Sequence, residues 1–324
     1  MNTFLSWFKL IRWSNLAIIA LTQWVVRYGI IQPMIEYMNI GMKLELSTFH
    51  FLMLMVSTLL IAAAGYVIND YFDNNIDRIN KPQHVVVGKT ISRRQAMLTH
   101  TILNVLGVAL GFWVAYQIGV IKLGLIQLFS TGLLWFYSTD FKKRLLAGNL
   151  LIALLTAMVP FTVLLFEIPP LISAYRIMLA DMNLNFNHIM IFVGGYAGFA
   201  FITTLVREII KDMEDVEGDE KFGCETMPIV WGLKVSKAVT IGLVLITMIL
   251  LGLIMSQQFQ DKDHISFAYF LTFLQLPSVA LMIKVSTSNT SRDLHLASRM
   301  QKLIMLAGVG YALVFKYLLL GQIF

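Results

Sequence analysis

Long apolar runs separated by short polar stretches set the pattern of this chain. The runs lie near 10–31, 49–72, 94–117, 120–138, 146–168, 187–210, 234–256, 265–283 and 300–322. A helix needs roughly 20 mostly apolar residues to cross the hydrocarbon core of a bilayer. These runs are too long for strands and too uniformly apolar for surface helices. They predict nine transmembrane helices in an all-α, polytopic membrane protein. No polar stretch between them is long enough to fold alone, so 1–324 is expected to be a single transmembrane domain. The stretch 32–48, with Pro33, Glu36 and Lys43, is expected to lie along the membrane interface. The first run follows Lys9 and Arg12 and lacks the short core and small-residue cleavage site of a signal peptide, so it reads as an uncleaved helix.

Composition supports this reading. The chain is 57% hydrophobic and 14% charged, against about 25% charged in soluble domains. The lone Cys224 excludes an intramolecular disulfide and a cysteine zinc cluster. A net charge of +6 would suit nucleic acid in a soluble chain, but here it follows the loops, and no nucleic-acid partner is expected. With the N-terminus in the cytoplasm, most of the 25 Lys and Arg fall on the cytoplasmic side. Arg27, Lys43, Lys122, Arg176, Lys262 and Lys316 remain opposite. That bias supports the helix count and the orientation, and the chain is expected to be a multi-pass protein of the inner (cytoplasmic) membrane.

Candidate chemistry lies at two of the predicted helix ends. The second helix ends in Asn69-Asp70-Tyr71-Phe72-Asp73-Asn74-Asn75-Ile76-Asp77, and the sixth in Asp212-Met213-Glu214-Asp215-Val216-Glu217-Gly218-Asp219. Both contain D-x-x-D-x-x-x-D, which on a helix puts three carboxylates on one face. Both ends fall on the cytoplasmic side, so the carboxylates are expected at the same depth. Clustered carboxylates repel one another unless a cation is present, and hard oxygen donors suit Mg²⁺. Mg²⁺ is usually shared between one or two carboxylates and substrate phosphates, so a diphosphate is the natural bridge. Solvated charges at a helix end are the plain alternative for either cluster alone. The matched pair argues against it, because carboxylates at membrane depth are costly. An EF-hand fails, since its glycine and final glutamate positions hold Arg78 and His84.

Basic residues share that side. Positive-inside anchoring accounts for most of them. Arg207 and Lys211, just before Asp212, are placed to reach a diphosphate, as is Lys142 after the fourth helix. Tyr137 and Ser138 can donate hydrogen bonds to its oxygens. The many Phe, Tyr, Trp and Met residues serve mainly for packing, though aromatic faces can stabilise a carbocation. The histidines form no ligand pattern.

These residues resemble the UbiA superfamily of intramembrane prenyltransferases. Asn69-x3-Asp73-x3-Asp77 looks like its first motif. Asp215-x3-Asp219, followed by Lys221-Phe222-Gly223 and Thr226, looks like its second. Tyr137-Ser138 with the basic run behind it, and Arg12-x2-Asn15, are also similar. The resemblance implies a nine-helix bundle whose cavity opens to lipid. Two Mg²⁺ ions would hold an isoprenyl diphosphate, with Asn69, Asp73 and Asp77 on one, Asp215 and Asp219 on the other, and Asp70 and Asp212 in support. Ionisation would give an allylic cation, attacked by a lipophilic acceptor. The segment Arg207–Asp219 resembles the branch that makes digeranylgeranylglyceryl phosphate from geranylgeranyl diphosphate and geranylgeranylglyceryl phosphate. Homogentisate prenyltransferases and chlorophyll synthases share much of it, which leaves an aromatic acceptor of homogentisate, hydroxybenzoate or naphthoate type as the rival. Two departures bear on the acceptor. Many relatives have Tyr where this chain has Arg207, and an Arg-Pro-Ile-Pro-Ser-Gly-like stretch where it has Val85-Val86-Val87-Gly88. A cation transporter is the non-enzymatic rival. It would place its carboxylates near mid-membrane rather than at helix ends.

Overall fold

The structure, a computed structural model, describes residues 3–38, 40–83 and 85–321. His84, which breaks the EF-hand pattern, lies outside them. Among the described residues the only β pairing is an isolated bridge between Val87 and Ile91. The helices are α1 (Thr3–Leu10), α2 (Trp13–Tyr37), α3 (Thr48–Asn80), α4 (Arg93–Gln117), α5 (Leu125–Thr139), α6 (Ala147–Ala174), α7 (Arg176–Asp181), α8 (Asn187–Glu214), α9 (Val216–Lys221), α10 (Met227–Val230), α11 (Gly232–Gln260), α12 (His264–Thr287) and α13 (Ser291–Gly321). Eight of them, α2, α3, α4, α6, α8, α11, α12 and α13, are long and apolar enough to cross a membrane. The fourth predicted span is present as α5, only 15 residues long, preceded by a 3₁₀ turn over Ile121–Gly124. The nine-helix expectation is compatible with this set.

Several boundaries differ from the apolar pattern. α3 continues past 72 to Asn80, so the whole first motif is helical rather than a tail after a helix. α13 begins at Ser291, where Thr290 and Asp293 cap each other: Thr290 N donates to Asp293 Oδ2 at 3.1 Å and Asp293 N to Thr290 Oγ1 at 3.2 Å. Residues 32–37, expected along the interface, continue α2 beyond a π-helical turn over Val26–Ile31. Arg12 breaks the chain between α1 and α2 in a left-handed conformation, φ 51°.

The chain packs as two compact units. The first comprises Met1–Phe141 and Met158–Gly194, the second Lys142–Ala157 and Gly195–Phe324. In the first, α3 and α4 approach closely. Ser57 Oγ donates to the Gly107 carbonyl at 2.6 Å, and a Cβ at Gly107 would lie 2.7 Å from Ile61. Small residues at such a crossing let helix backbones meet. Arg27, counted with the outer side in the charge pattern, is only 1% exposed. Its Nε lies 2.5 Å from Glu167 Oε1 on α6. It donates to the Leu46 carbonyl and, at 2.8 Å, to the Tyr28 hydroxyl, and stands over the Phe51 ring at 4.5 Å. A charge buried in a spanning helix needs such partners.

Candidate functional site

In the first unit, Asn69, Asp73 and Asp77 follow one another at four-residue intervals along α3 and share a face. Asn69 Nδ2 donates to Asp73 Oδ2 at 2.7 Å. That bond aims the amide, and its oxygen Oδ1 is buried with no hydrogen-bond partner among the described residues. Such an oxygen beside the buried Asp73 carboxylate is the donor type a hard cation takes. Asp70, one residue round the helix, instead accepts from Arg12 Nη2 at 2.8 Å, and Arg12 also stands over the Tyr66 ring at 5.0 Å.

The opposite face of this stretch is fixed from behind. Val67 packs with Val86, Val87, Ile91, Ala96 and Leu10 in one buried cluster. Asn74 Nδ2 donates to the Val87 carbonyl. Gly88 closes the turn at φ +79°, and a Cβ there would lie 3.0 Å from Asn74 Nδ2. The Val-Val-Val-Gly stretch is therefore a packed brace for the first motif. Its apolar side chains do the holding through burial.

In the second unit, α8 ends at Glu214 and α9 starts at Val216, so the second motif does not lie on one unbroken helix. Asp215 occupies the junction at φ −100°, ψ 7°. The chain keeps a near-helical path through it: Asp215 N bonds to the Lys211 carbonyl at 2.9 Å and Asp219 N to the Asp215 carbonyl at 3.2 Å. Asp215 and Asp219 thus stay one turn apart. Asp212 accepts from Asn149 Nδ2 of α6 at 2.7 Å. On α9, exposed Lys221 donates to exposed Glu217 at 2.9 Å and holds that carboxyl below its ordinary range.

The expected cations have partners. Lys211 Nζ donates to Glu208 Oε1 at 2.6 Å, and Arg207 Nη1 reaches the same oxygen at 3.3 Å. Lys142 sits in a 3₁₀ turn over Phe141–Lys143, and the Lys143 carbonyl accepts from Glu225 N at 2.7 Å. That bond ties the basic run to the loop after the second motif. Tyr137 and Ser138 close α5 in the first unit. Ser138 is buried and donates to the Leu134 carbonyl at 3.0 Å. Sequence reasoning did not single out Asn149, Glu208, Arg12 as the partner of Asp70, or the Asn74 brace. Only Glu208, three residues before Lys211, carried a local signal.

Among the described residues, no three His, Cys, Asp or Glu converge tightly enough to hold a metal by themselves. The donors are sparse and oxygen-only, which fits a cation that completes its shell with water and a phosphorylated ligand.

The UbiA prenyltransferase family model matches residues 37–302. A digeranylgeranylglyceryl phosphate synthase of Methanothermobacter thermautotrophicus is 32% identical over 276 residues, 85% of this chain and 86% of that one. The synthase of that name from Methanobrevibacter smithii is 30% identical over 80% of this chain and 83% of its own. That of Methanosphaera stadtmanae is 36% identical over 187 residues, but there the chain spans only 60% of the relative's length. Among solved structures, one described for digeranylgeranylglyceryl phosphate synthase in membranes superposes with a TM-score of 0.60 at 23% identity, covering 97% of this chain and 99% of that one. A UbiA homologue from Archaeoglobus fulgidus bound to GPP and Mg²⁺ gives a TM-score of 0.54 at 17% identity over 95% of this chain and 99% of its own. At those identities the likeness is one of fold. The chain therefore belongs to the UbiA prenyltransferase family and is a prenyltransferase enzyme of the membrane.

Proposed function

We propose that this enzyme transfers a geranylgeranyl group from geranylgeranyl diphosphate to geranylgeranylglyceryl phosphate, with the site open to the cytoplasmic side of the cell membrane. What carries the acceptor assignment is the set of relatives bearing one synthase name, aligned over 80% and 85% of the chain in two cases. Whole-chain 1–324 acts as one catalytic domain, in which both motifs are required. Asn69, Asp73 and Asp77 would hold one Mg²⁺, and Asp215 and Asp219 a second. When bound, Mg²⁺ neutralises charge on the departing diphosphate. Arg12 keeps Asp70 turned to itself, and Asn149 orients Asp212, so these two carboxylates support the ligand set from its edge. Lys211, Lys142, Tyr137 and Ser138 contact the diphosphate. Lys211 is pre-positioned by Glu208, and Ser138 exchanges its Leu134 bond for a phosphate oxygen. Arg207 supplies a further cation deeper along α8. The apolar helix walls keep water from the reacting prenyl carbon.

The test is product analysis. Purified enzyme with Mg²⁺ and labelled geranylgeranyl diphosphate is offered geranylgeranylglyceryl phosphate, homogentisate, 4-hydroxybenzoate or dihydroxynaphthoate. Labelled diether phosphate is the expected product. Transfer only to an aromatic acid would refute the assignment.

A further inference from the structure

Two cations on different helices of the second unit converge without belonging to the carboxylate motif. Arg207 competes poorly for Glu208, which Lys211 holds at 2.6 Å against 3.3 Å for Arg207. Arg207 Nε finds no hydrogen-bond partner among the described residues. One turn back on the same face, the Thr204 hydroxyl is also buried without one.

α13 lies antiparallel beside α8. Ser291 Oγ donates to the Glu214 carbonyl at 3.2 Å, and His295 Nδ1 meets Glu214 Oε1 at 2.9 Å. Farther along, Gln301 Nε2 donates to the Thr203 carbonyl at 2.9 Å. The step from Glu214 back to Thr203 on α8 is thus matched by the step from Ser291 forward to Gln301 on α13. This register brings Lys302 within electrostatic reach of Arg207. Lys302 lies about 16 Å along α13 from Ser291 at 1.5 Å per residue. Both cations therefore sit inside spanning helices, where like charges repel more strongly than in water and ionisable groups mark a functional site. An anion held by both is favoured there.

Arg207 also lies about 12 Å along the helix from Asp215, by the same rise. Lys211, one turn before Asp215, stays with the motif.

We propose that Arg207 and Lys302, with the Thr204 hydroxyl, form a subsite for the phosphate monoester of a lipid acceptor, separate from the residues that hold the diphosphate. This rests on the reading of the acceptor as an anionic lipid. It assigns Arg207 to the acceptor rather than the donor.

The test is direct binding to the whole chain in nanodiscs of phosphatidylcholine, compared between wild type and Lys302→Gln. Geranylgeranylglyceryl phosphate is expected to bind about tenfold more weakly to the variant. Geranylgeranylglycerol, which lacks the phosphate, and geranylgeranyl diphosphate with Mg²⁺ should bind both proteins alike. Lys302→Arg should restore the phosphorylated ligand, which a merely structural role would not predict. An equal loss for the donor diphosphate, or no loss for the monoester, would overturn the subsite. Competition by phosphatidylglycerol in the nanodisc would make it a bilayer-headgroup site and overturn it as well. Failure of the acceptor reading shows elsewhere, as wild-type transfer to aromatic acids alone, while the binding comparison still decides the subsite.

Discussion

The buried pair between Arg27 and Glu167 gives the sharpest stability prediction. Glu167→Gln keeps the volume and removes the charge. Arg27 is 1% exposed and Glu167 0%, so water cannot take over the lost interaction. Removing one member of a buried pair typically costs about 3–5 kcal/mol, because the other charge is left uncompensated. Replacing both with Met should recover much of that loss, since an apolar pair of similar volume is often neutral. Recovery should be incomplete. The Leu46 carbonyl loses its Arg27 donor, and an unsatisfied buried acceptor costs about 1–3 kcal/mol. The assay is the unfolding free energy of wild type, Glu167→Gln, Arg27→Met, Glu167→Met and the Met/Met double variant in mixed micelles, the last three closing the cycle. The double variant should be more stable than Glu167→Gln alone, with a coupling energy above about 1 kcal/mol. A cost for Glu167→Gln under about 1 kcal/mol, or additive single effects, would refute the claim that the charges hold each other.

Asn149→Ala removes the amide that orients Asp212; transfer should slow by about tenfold or more and need more Mg²⁺ for half-maximal rate, as a Mg²⁺ titration would show, since outer partners of ligand sets typically matter by about 10–100-fold. Gly88→Ala forces an L-residue into φ +79° against Asn74. It should cost about 1–2 kcal/mol, read as a lowered unfolding midpoint, and an unchanged midpoint would show that the brace behind the first motif tolerates a side chain.

The apolar runs made the helices legible because the bilayer leaves the backbone little alternative to helix. Their ends were less legible, because polarity does not end a helix. α3 runs through Asn69–Asp77, with the Asn69–Asp73 bond along its own face, and α13 starts nine residues before its predicted span at a cap that Thr290 and Asp293 spell out locally. The length of α5 could not be read from hydropathy, since the 3₁₀ turn before it is as apolar as the helix. The residue types of both motifs were readable from spacing, while the break at Asp215 was not. Long-range partners were hidden for a simple reason. Asn149 is 63 residues from Asp212 and Arg12 is 58 from Asp70, and spacing along the chain reports only neighbours on one element. The burial of Arg27 against Glu167, far along the chain, was hidden for the same reason. Without Glu167 beside it, a charge in an apolar run looks like a topological anchor.

The central claim is that both carboxylate motifs serve one Mg²⁺-dependent prenyl transfer, and the direct test compares wild type with Asp73→Ala and Asp215→Ala. Each protein, in nanodiscs with Mg²⁺, labelled geranylgeranyl diphosphate and geranylgeranylglyceryl phosphate, is assayed for labelled diether product. The account predicts product from wild type, none after chelation of the metal, and a loss of about 100-fold or more in each variant, the scale on which charge stabilisation acts. Wild-type rates in both variants would contradict it.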